Sequence, residues 1–265
     1  MNKLIVLGID GLGYTNLTQH QKQFLPRLNK LCETYTCTSI PLDVAISPRN
    51  WTRIFSGQDL KWYNLFIKPV DNINYRLIRR HELPVKFIWE KYPDMIVINA
   101  PVVIPPICRN TEFKPVAYGL PLSYYEAWRE LNQVRRHTLK ALDTNKPIIS
   151  VTTVFDRILH ITGNEATIKK ICIELDEVIH QIIEKAIQNK YNWIIISDHA
   201  MKRVSSDTEG KTAPRHDMPY IKTVTKAIHG HDENSLFISN LPDKPTSLTH
   251  VYQIIERELK QIYRF

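Results

Sequence analysis

The chain has 265 residues, 43% of them apolar and 23% charged, the proportions of an ordinary globular protein long enough to build its own core. Its net charge of +8 suits anionic partners such as phosphoesters and nucleotides, while the spread of basic residues along the whole chain disfavours a dedicated nucleic-acid-binding arm. No apolar stretch reaches the roughly 20 residues of a membrane span, and the start does not read as a signal peptide, so a cytoplasmic protein is expected. Cys32, Cys37, Cys108 and Cys172 are scattered, which fits that location, and neither a disulfide framework nor a thiolate zinc site is expected.

Strand-like and helix-like segments alternate along the chain. Leu4 to Ile9 is a continuous β-branched and leucine run, the pattern of a strand buried on both faces. A helix is expected over about residues 22–34, a second buried strand over Met95 to Asn99, and a helix over Ser123 to Leu142. Pro147 to Val154 reads as a third strand. Glu165 to Asn189 reads as a long amphipathic helix with Ile168, Ile171, Leu175, Ile179 and Ile182 on one face. Trp193 to Ile196 and Ser235 to Ile238 are further strands, and Leu248 to Ile262 closes the chain as a helix. Buried strands alternating with helices imply an α/β fold, a mostly parallel central sheet flanked by helices on both faces. A single domain over residues 1–265 is expected.

Ligands of such sheets lie at the carboxyl ends of the strands, which directs attention to a few residues. The first strand ends at Asp10. The third leads into Asp156 and His160, spaced so that a helix would put both on one face. The fourth ends at Asp198 and His199, and the last is preceded by His229-Gly230-His231. One aspartate after a strand is usually a helix cap, and one buried histidine is usually a hydrogen-bonded core residue. Three aspartates and up to four histidines at one sheet edge are different, because burying so many charges without a cation is prohibitive. Carboxylate oxygens with imidazole nitrogens suit zinc, manganese or iron.

Ser47 precedes Pro48, so a helix is expected from Pro48 with Ser47 as its N-cap. Free amides at that helix start would serve phosphate oxygens, and a metal ion touching Ser47 would make it a nucleophile. Most Ser-Pro helix starts are only caps, so this residue gains its weight from the metal-ligand types expected around it.

Together these residues resemble the alkaline phosphatase superfamily, in particular its type I phosphodiesterase/nucleotide pyrophosphatase branch. Ile9-Asp10-Gly11 is similar to the first metal-binding motif, and Ser47-Pro48-Arg49-Asn50-Trp51 through Ser56-Gly57 to the nucleophile segment. Ile88-Trp89 and Asn99-Ala100-Pro101, followed by Pro105-Pro106, resemble the middle segment. Asp156-Arg157-x-x-His160 matches the Asp-x-x-x-His motif, and Ser197-Asp198-His199-Ala200-Met201 resembles a Ser-Asp-His-Gly-Met motif with alanine at the glycine position. The resemblance implies two divalent ions, zinc or manganese. Asp156, His160 and His231 would hold one; Asp10, Asp198 and His199 would hold the other, which also touches Ser47. His229 competes with His231, which is favoured by its spacing to the last strand. Ser47 would attack phosphorus and form a phosphoserine.

The sequence departs from the family after Gly57, where Leu60, Tyr63 and Asn64 replace a proline and a His-Gly pair. Ala200 is expected to crowd the site slightly. Ser47-Pro48-Arg49 does not fit a sulfatase, and the chain is too short for a phosphoglycerate mutase with its inserted domain. A phosphodiesterase or nucleotide pyrophosphatase is therefore expected, with a phosphomonoesterase or a non-catalytic nucleotide- or nucleic-acid-binding relative as alternatives. Trp51, Trp62, Tyr63 and Tyr75 are candidates to stack a base, and Arg49 and Asn50 to contact phosphoryl oxygens. Residues 201–230 read as a loop able to cover the substrate.

Overall fold

The computed structural model describes residues 3–71, 74–103, 123–203 and 229–263. Its elements run β1 (Lys3–Ile9), α1 (Pro26–Thr34), β2 (Thr36–Pro41), α2 (Ser47–Ser56), β3 (Ile67–Pro69), β4 (Tyr75–Leu77), α3 (Ile88–Lys91), β5 (Ile96–Ile98) and α4 (Tyr124–Ala141). They continue with β6 (Ile148–Thr152), α5 (Val154–Ile161), α6 (Glu165–Gln188), β7 (Tyr191–Ile196), β8 (Ala200–Arg203), β9 (His229–Asp232), β10 (Asn234–Ser239) and α7 (Leu248–Ile262).

Six strands form the central sheet in the order β2-β10-β7-β1-β6-β5. β1 lies parallel to both β6 and β7, and β5 parallel to β6; β10 runs antiparallel to β7 and β2. Side chains of a strand alternate between faces, and both faces here are covered. Ile5, Leu7 and Ile9 enter a core with α1, α4, α5 and α6. Leu4 and Val6 enter a second core with residues of α2, α3 and α7, including Trp51, Phe55, Ile88, Val251 and Ile255. This two-sided burial is why the strands read as continuous apolar runs.

Because β10 runs against its neighbours, its start lies at the edge where β1, β6 and β7 end. The small β8–β9 ladder pairs Met201 with His231 and Arg203 with His229, and so carries the last histidines back to that edge. Several elements were not expected from the sequence, among them the β3–β4 ladder and the short α3. β2 is an edge strand added by pairing with β10, and β8–β9 forms from residues read as loop. The greater part of the expected substrate loop, residues 204–228, lies outside the described residues, as do Pro105, Pro106 and Cys108.

One expectation is corrected outright. Cys32 and Cys37 form a disulfide between α1 and β2, with Cα atoms 4.9 Å apart. Spacing along the chain did not signal it, because the two cysteines form no Cys-x-x-Cys pair and meet only across the short α1–β2 turn. Cys172 is free and buried.

Candidate active site

The strand ends deliver the acidic ligands. Asp10 follows β1, and Asp198 follows β7 by two residues. Gly11 has φ +77°, a left-handed conformation that glycine adopts without strain. A side chain there would also meet Cβ of Asp156 at 2.9 Å. The Gly11 amide donates to Asp198 Oδ1 at 3.2 Å, and the Asp156 amide donates to the Asp10 carbonyl at 3.2 Å. Backbone bonds therefore register the three aspartates against one another. Asp156 and His160 stand one turn apart on α5, as their spacing predicts.

The ligand atoms fall into two groups, Asp10–Asp198–His199 and Asp156–His160–His231, each with atoms within 4.8 Å of one another. In the first group, His199 Nε2 lies 3.2 Å from Asp198 Oδ2 and 3.6 Å from Asp10 Oδ1. In the second, Asp156 Oδ1 lies 3.2 Å from His160 Nε2 and 3.3 Å from His231 Nε2, and those two nitrogens are 3.0 Å apart. His199 Nε2 is 3.9 Å from Asp156 Oδ1, so the groups adjoin.

The histidine tautomers follow from their partners. His160 Nδ1 contacts the His229 carbonyl at 3.2 Å, His199 Nδ1 the Ala200 carbonyl at 3.0 Å, and His231 Nδ1 the Ala45 carbonyl at 2.8 Å. A carbonyl only accepts, so each Nδ1–H donates, and each Nε2 is left to take a proton or a metal ion. Ligating histidines are oriented in this way in metal sites. Asp10 Oδ1 and Asp198 Oδ2 are buried without a hydrogen-bond partner; buried carboxylate oxygens ordinarily find one, and a bound cation would supply the missing contact. The residues thus fit divalent ions of the nitrogen- and oxygen-binding kind.

Charge perturbations agree. Burial, reinforced by Asp156, pushes the Asp198 carboxyl up to about 7, and burial beside Asp198 and Asp156 raises Asp10 well above the usual range. Burial likewise holds His199 well below the ordinary imidazole value, helped by repulsion from His231. In the second group burial opposes charge, yet His160 and His231 hold Asp156 well below the usual carboxylate range. His231 is in turn raised: its bonds to Asp156 outweigh burial.

Ser47 is placed differently from the cap predicted for it. The helix begins at Ser47 itself, with Ile46 as the flanking residue and no side-chain cap. Its Oγ donates instead to His199 Nε2 at 2.9 Å, which aims the hydroxyl at the ligand cluster. The helix ends on Gly57, φ +71°, the left-handed stop that glycine favours. Asn50 does not reach outward: its Nδ2 donates to the carbonyls of Asp198 and Val44, at 3.0 and 2.8 Å. Arg49 is bound by Asp59 and Asp43, so its fork is engaged away from any phosphoryl oxygen. Of the four candidate stacking aromatics, Trp51 and Tyr63 are fully buried, whereas Trp62 and Tyr75 are exposed. Trp51 has another task that sequence patterning did not suggest, donating its Nε1–H to Asp10 Oδ2 at 3.3 Å and leaving Oδ1 for an ion.

The two histidines of the last motif separate cleanly. His231 points Nε2 into the second group, while His229 turns Nδ1 to the Leu159 carbonyl at 3.1 Å. Ala200 packs against Gly13, where an added Cβ would stand 2.2 Å from the alanine methyl. The methyl is accommodated by that glycine, and the expected crowding is taken up there.

This geometry defines a metal-dependent phosphoester hydrolase site on an alkaline phosphatase-like fold. The chain belongs to the type I phosphodiesterase / nucleotide pyrophosphatase family, whose profile matches residues 74–263. The match includes Asp156, His160, Asp198, His199 and His231. Searched by sequence, the curated proteins yield no match. Solved structures share the fold across nearly the whole chain. A murine ectonucleotide pyrophosphatase/phosphodiesterase 5, an inactive variant in complex with AMP, is 10% identical with a TM-score of 0.65, over 98% of this chain and 95% of that one. Phosphonoacetate hydrolase from Sinorhizobium meliloti 1021, in complex with phosphonoformate, is 11% identical with a TM-score of 0.68, over 97% and 96%. A variant of TAB5 alkaline phosphatase with Mg in its M3 site is 13% identical with a TM-score of 0.59, over 97% of each chain. At such identities these likenesses establish the fold alone. No described helix is long and apolar enough to cross a membrane.

Proposed function

We propose that this chain is a phosphodiesterase or nucleotide pyrophosphatase that works through a phosphoserine on Ser47. Two divalent ions, zinc or manganese, would be held by Asp10–Asp198–His199 and by Asp156–His160–His231. The observation that carries this reading is the convergence of three Nε2 atoms, each oriented by a backbone carbonyl, on buried carboxylate oxygens beside the Ser47 hydroxyl. When bound, the ions would supply Lewis-acid stabilisation of the oxyanions that develop during phosphoryl transfer. Ser47 Oγ forms the new bond to phosphorus, and the bond from phosphorus to the leaving alkoxide breaks; water then cleaves the phosphoserine and regenerates Ser47. The Ser47 hydroxyl, its pKa lowered by an ion held by Asp10, Asp198 and His199, would lose its proton to solvent before attack. The ligand set, half of it imidazole, favours zinc or manganese over magnesium.

Diester preference is supported by the arginines. A monoester dianion rewards an additional positive charge at its third oxygen, whereas a diester rewards room for a second substituent. Arg49 is engaged by Asp43 and Asp59, and Arg157, next to Asp156, is paired with Glu130. Trp62 and Tyr75 are exposed and would be the aromatics open to a nucleoside; the charge of +8 favours such an anion. Comparing kcat/KM for p-nitrophenyl phosphate and a p-nitrophenyl nucleoside monophosphate ester tests the preference. We expect the diester to be favoured about tenfold or more, roughly 1.4 kcal/mol of barrier, with turnover lost on chelation and restored by zinc or manganese. A clear preference for the monoester overturns the diesterase assignment.

The expected cytoplasmic location, read from the start of the chain and the lack of a membrane-spanning run, is opposed by the Cys32–Cys37 disulfide, since such bonds persist in oxidising compartments. A thiol count on protein alkylated at cell lysis decides between the two.

A further inference from the structure

Glu130 lies on the buried stripe of α4, between Ala127, Leu131 and Val134, and is only 2% exposed. A carboxylate in such a place is costly unless it is paired. Its Oε1 accepts from the Thr153 amide at 3.1 Å, the Thr153 hydroxyl at 2.8 Å and Asn99 Nδ2 at 3.3 Å. Its Oε2 accepts from the Arg157 guanidinium.

These partners share a location. Asn99 follows the end of β5 and Thr153 the end of β6. Thr153 is also the N-cap of α5, and Arg157 follows Asp156 in that helix. The Thr153 hydroxyl makes no capping bond of its own, being directed to Glu130 instead. The start of α5 is therefore fixed from two sides: Glu130 holds Thr153 and Arg157, and the Asp10 carbonyl accepts from the Asp156 amide. A buried ion pair stabilises a fold little compared with apolar packing, which leaves orientation as the use of this one.

We infer that Glu130 is a positioning residue for the ion held by Asp156, His160 and His231, acting through Thr153 and Arg157. It sets the direction in which α5 presents its two ligands. It also neutralises Arg157, a cation one residue from Asp156 that would otherwise oppose a second positive charge. The inference rests on the two-ion reading of the site.

The test is zinc titration of metal-free protein against a chromogenic chelator, with the melting temperature of the same metal-free samples. Wild type should take up two equivalents. Glu130→Gln keeps an acceptor for Thr153 but loses the charge. It should leave one equivalent at its wild-type affinity and weaken the other 10- to 100-fold, the usual effect of losing a ligand's outer partner. Excess zinc should then restore turnover. Thr153→Val, which keeps the shape and removes only the hydroxyl, should weaken the same equivalent several-fold and serves if Glu130→Gln does not fold. A lower melting temperature with both affinities unchanged would mean the cluster only supports the fold, and overturns the inference. Wild type that binds no ion removes the two-ion reading and this inference with it.

Discussion

The two ligand groups are built from the same residue types, yet they differ in what holds them and in how they bear their charges. Asp10, Asp198 and His199 follow adjacent parallel strands, and their side chains are 7%, 0% and 0% exposed. Asp156 and His160 ride on a helix and His231 on the β8–β9 ladder, with exposures of 12%, 6% and 25%. The first group sets two carboxylates against one histidine that burial keeps neutral, so nothing inside the protein balances them. The second sets one carboxylate against two histidines, and Asp156 and His231 satisfy each other by sharing charge. On the proposed two-ion reading, the first group should depend on its ion for stability, whereas the second should tolerate the loss of its own.

Replacing the proposed nucleophile beside the first group has the largest expected effect. Ser47→Ala should lower kcat by roughly a thousandfold or more, as removal of a covalent nucleophile does, with both ions still bound. Activity near wild type would instead mean that water attacks phosphorus directly. Elemental analysis of the variant checks that the ligand groups survive.

The contrast itself is tested by neutralising one aspartate from each group in metal-free protein. Asp198→Asn removes an unbalanced buried charge and should raise the melting temperature. Asp156→Asn removes the partner of His231 and should lower it. Each shift is expected at about 2–4 °C, the range for a kcal/mol or so in a chain of this size. Shifts of the same sign would show that the two groups carry their charges alike. In metal-loaded protein both variants should lose one ion and most turnover.

The smallest effect is a slope. Asp10 and Asp198 have folded-state pKa values above their unfolded ones, so the folded protein holds those protons more tightly. Their contribution is fully present below about pH 4 and is lost as pH rises toward the folded value of Asp198, about 7. Asp156 is depressed, and its contribution has the opposite sign: present above about pH 4 and lost on acidification. Buried His199 is depressed and opposes the two raised carboxyls, its contribution growing as pH rises toward the ordinary imidazole value. The raised carboxyls outnumber it, so metal-free protein should lose a few degrees of melting temperature between about pH 4 and 7, and saturating zinc should flatten that slope. A metal-free protein that grows more stable over this interval would place the unbalanced charge elsewhere.

Much of this molecule was determined by sequence alone. Runs such as Leu4 to Ile9 and Trp193 to Ile196 are apolar without alternation, and a strand of that kind is stable only when covered on both faces. That condition dictates the parallel sheet and hence the edge where Asp10, Asp156, Asp198 and His199 gather. The i, i+4 spacing of Asp156 and His160 is likewise local, because one helical turn is enough to align them. The tertiary structure alone decided what depends on a partner distant in sequence. The Nδ1 hydrogen bonds that turn His160 and His231 inward, the direction of the Ser47 hydroxyl and the edge strand β2 are of this kind. Even the shorter-range pairings of Arg49 with Asp43 and Asp59 and of Cys32 with Cys37 follow from how the loops fold rather than from residue type. Hydrophobic pattern records that a residue is buried, but not what it is buried against, and a polar side chain takes its role from whichever donor or acceptor the fold brings within hydrogen-bonding distance.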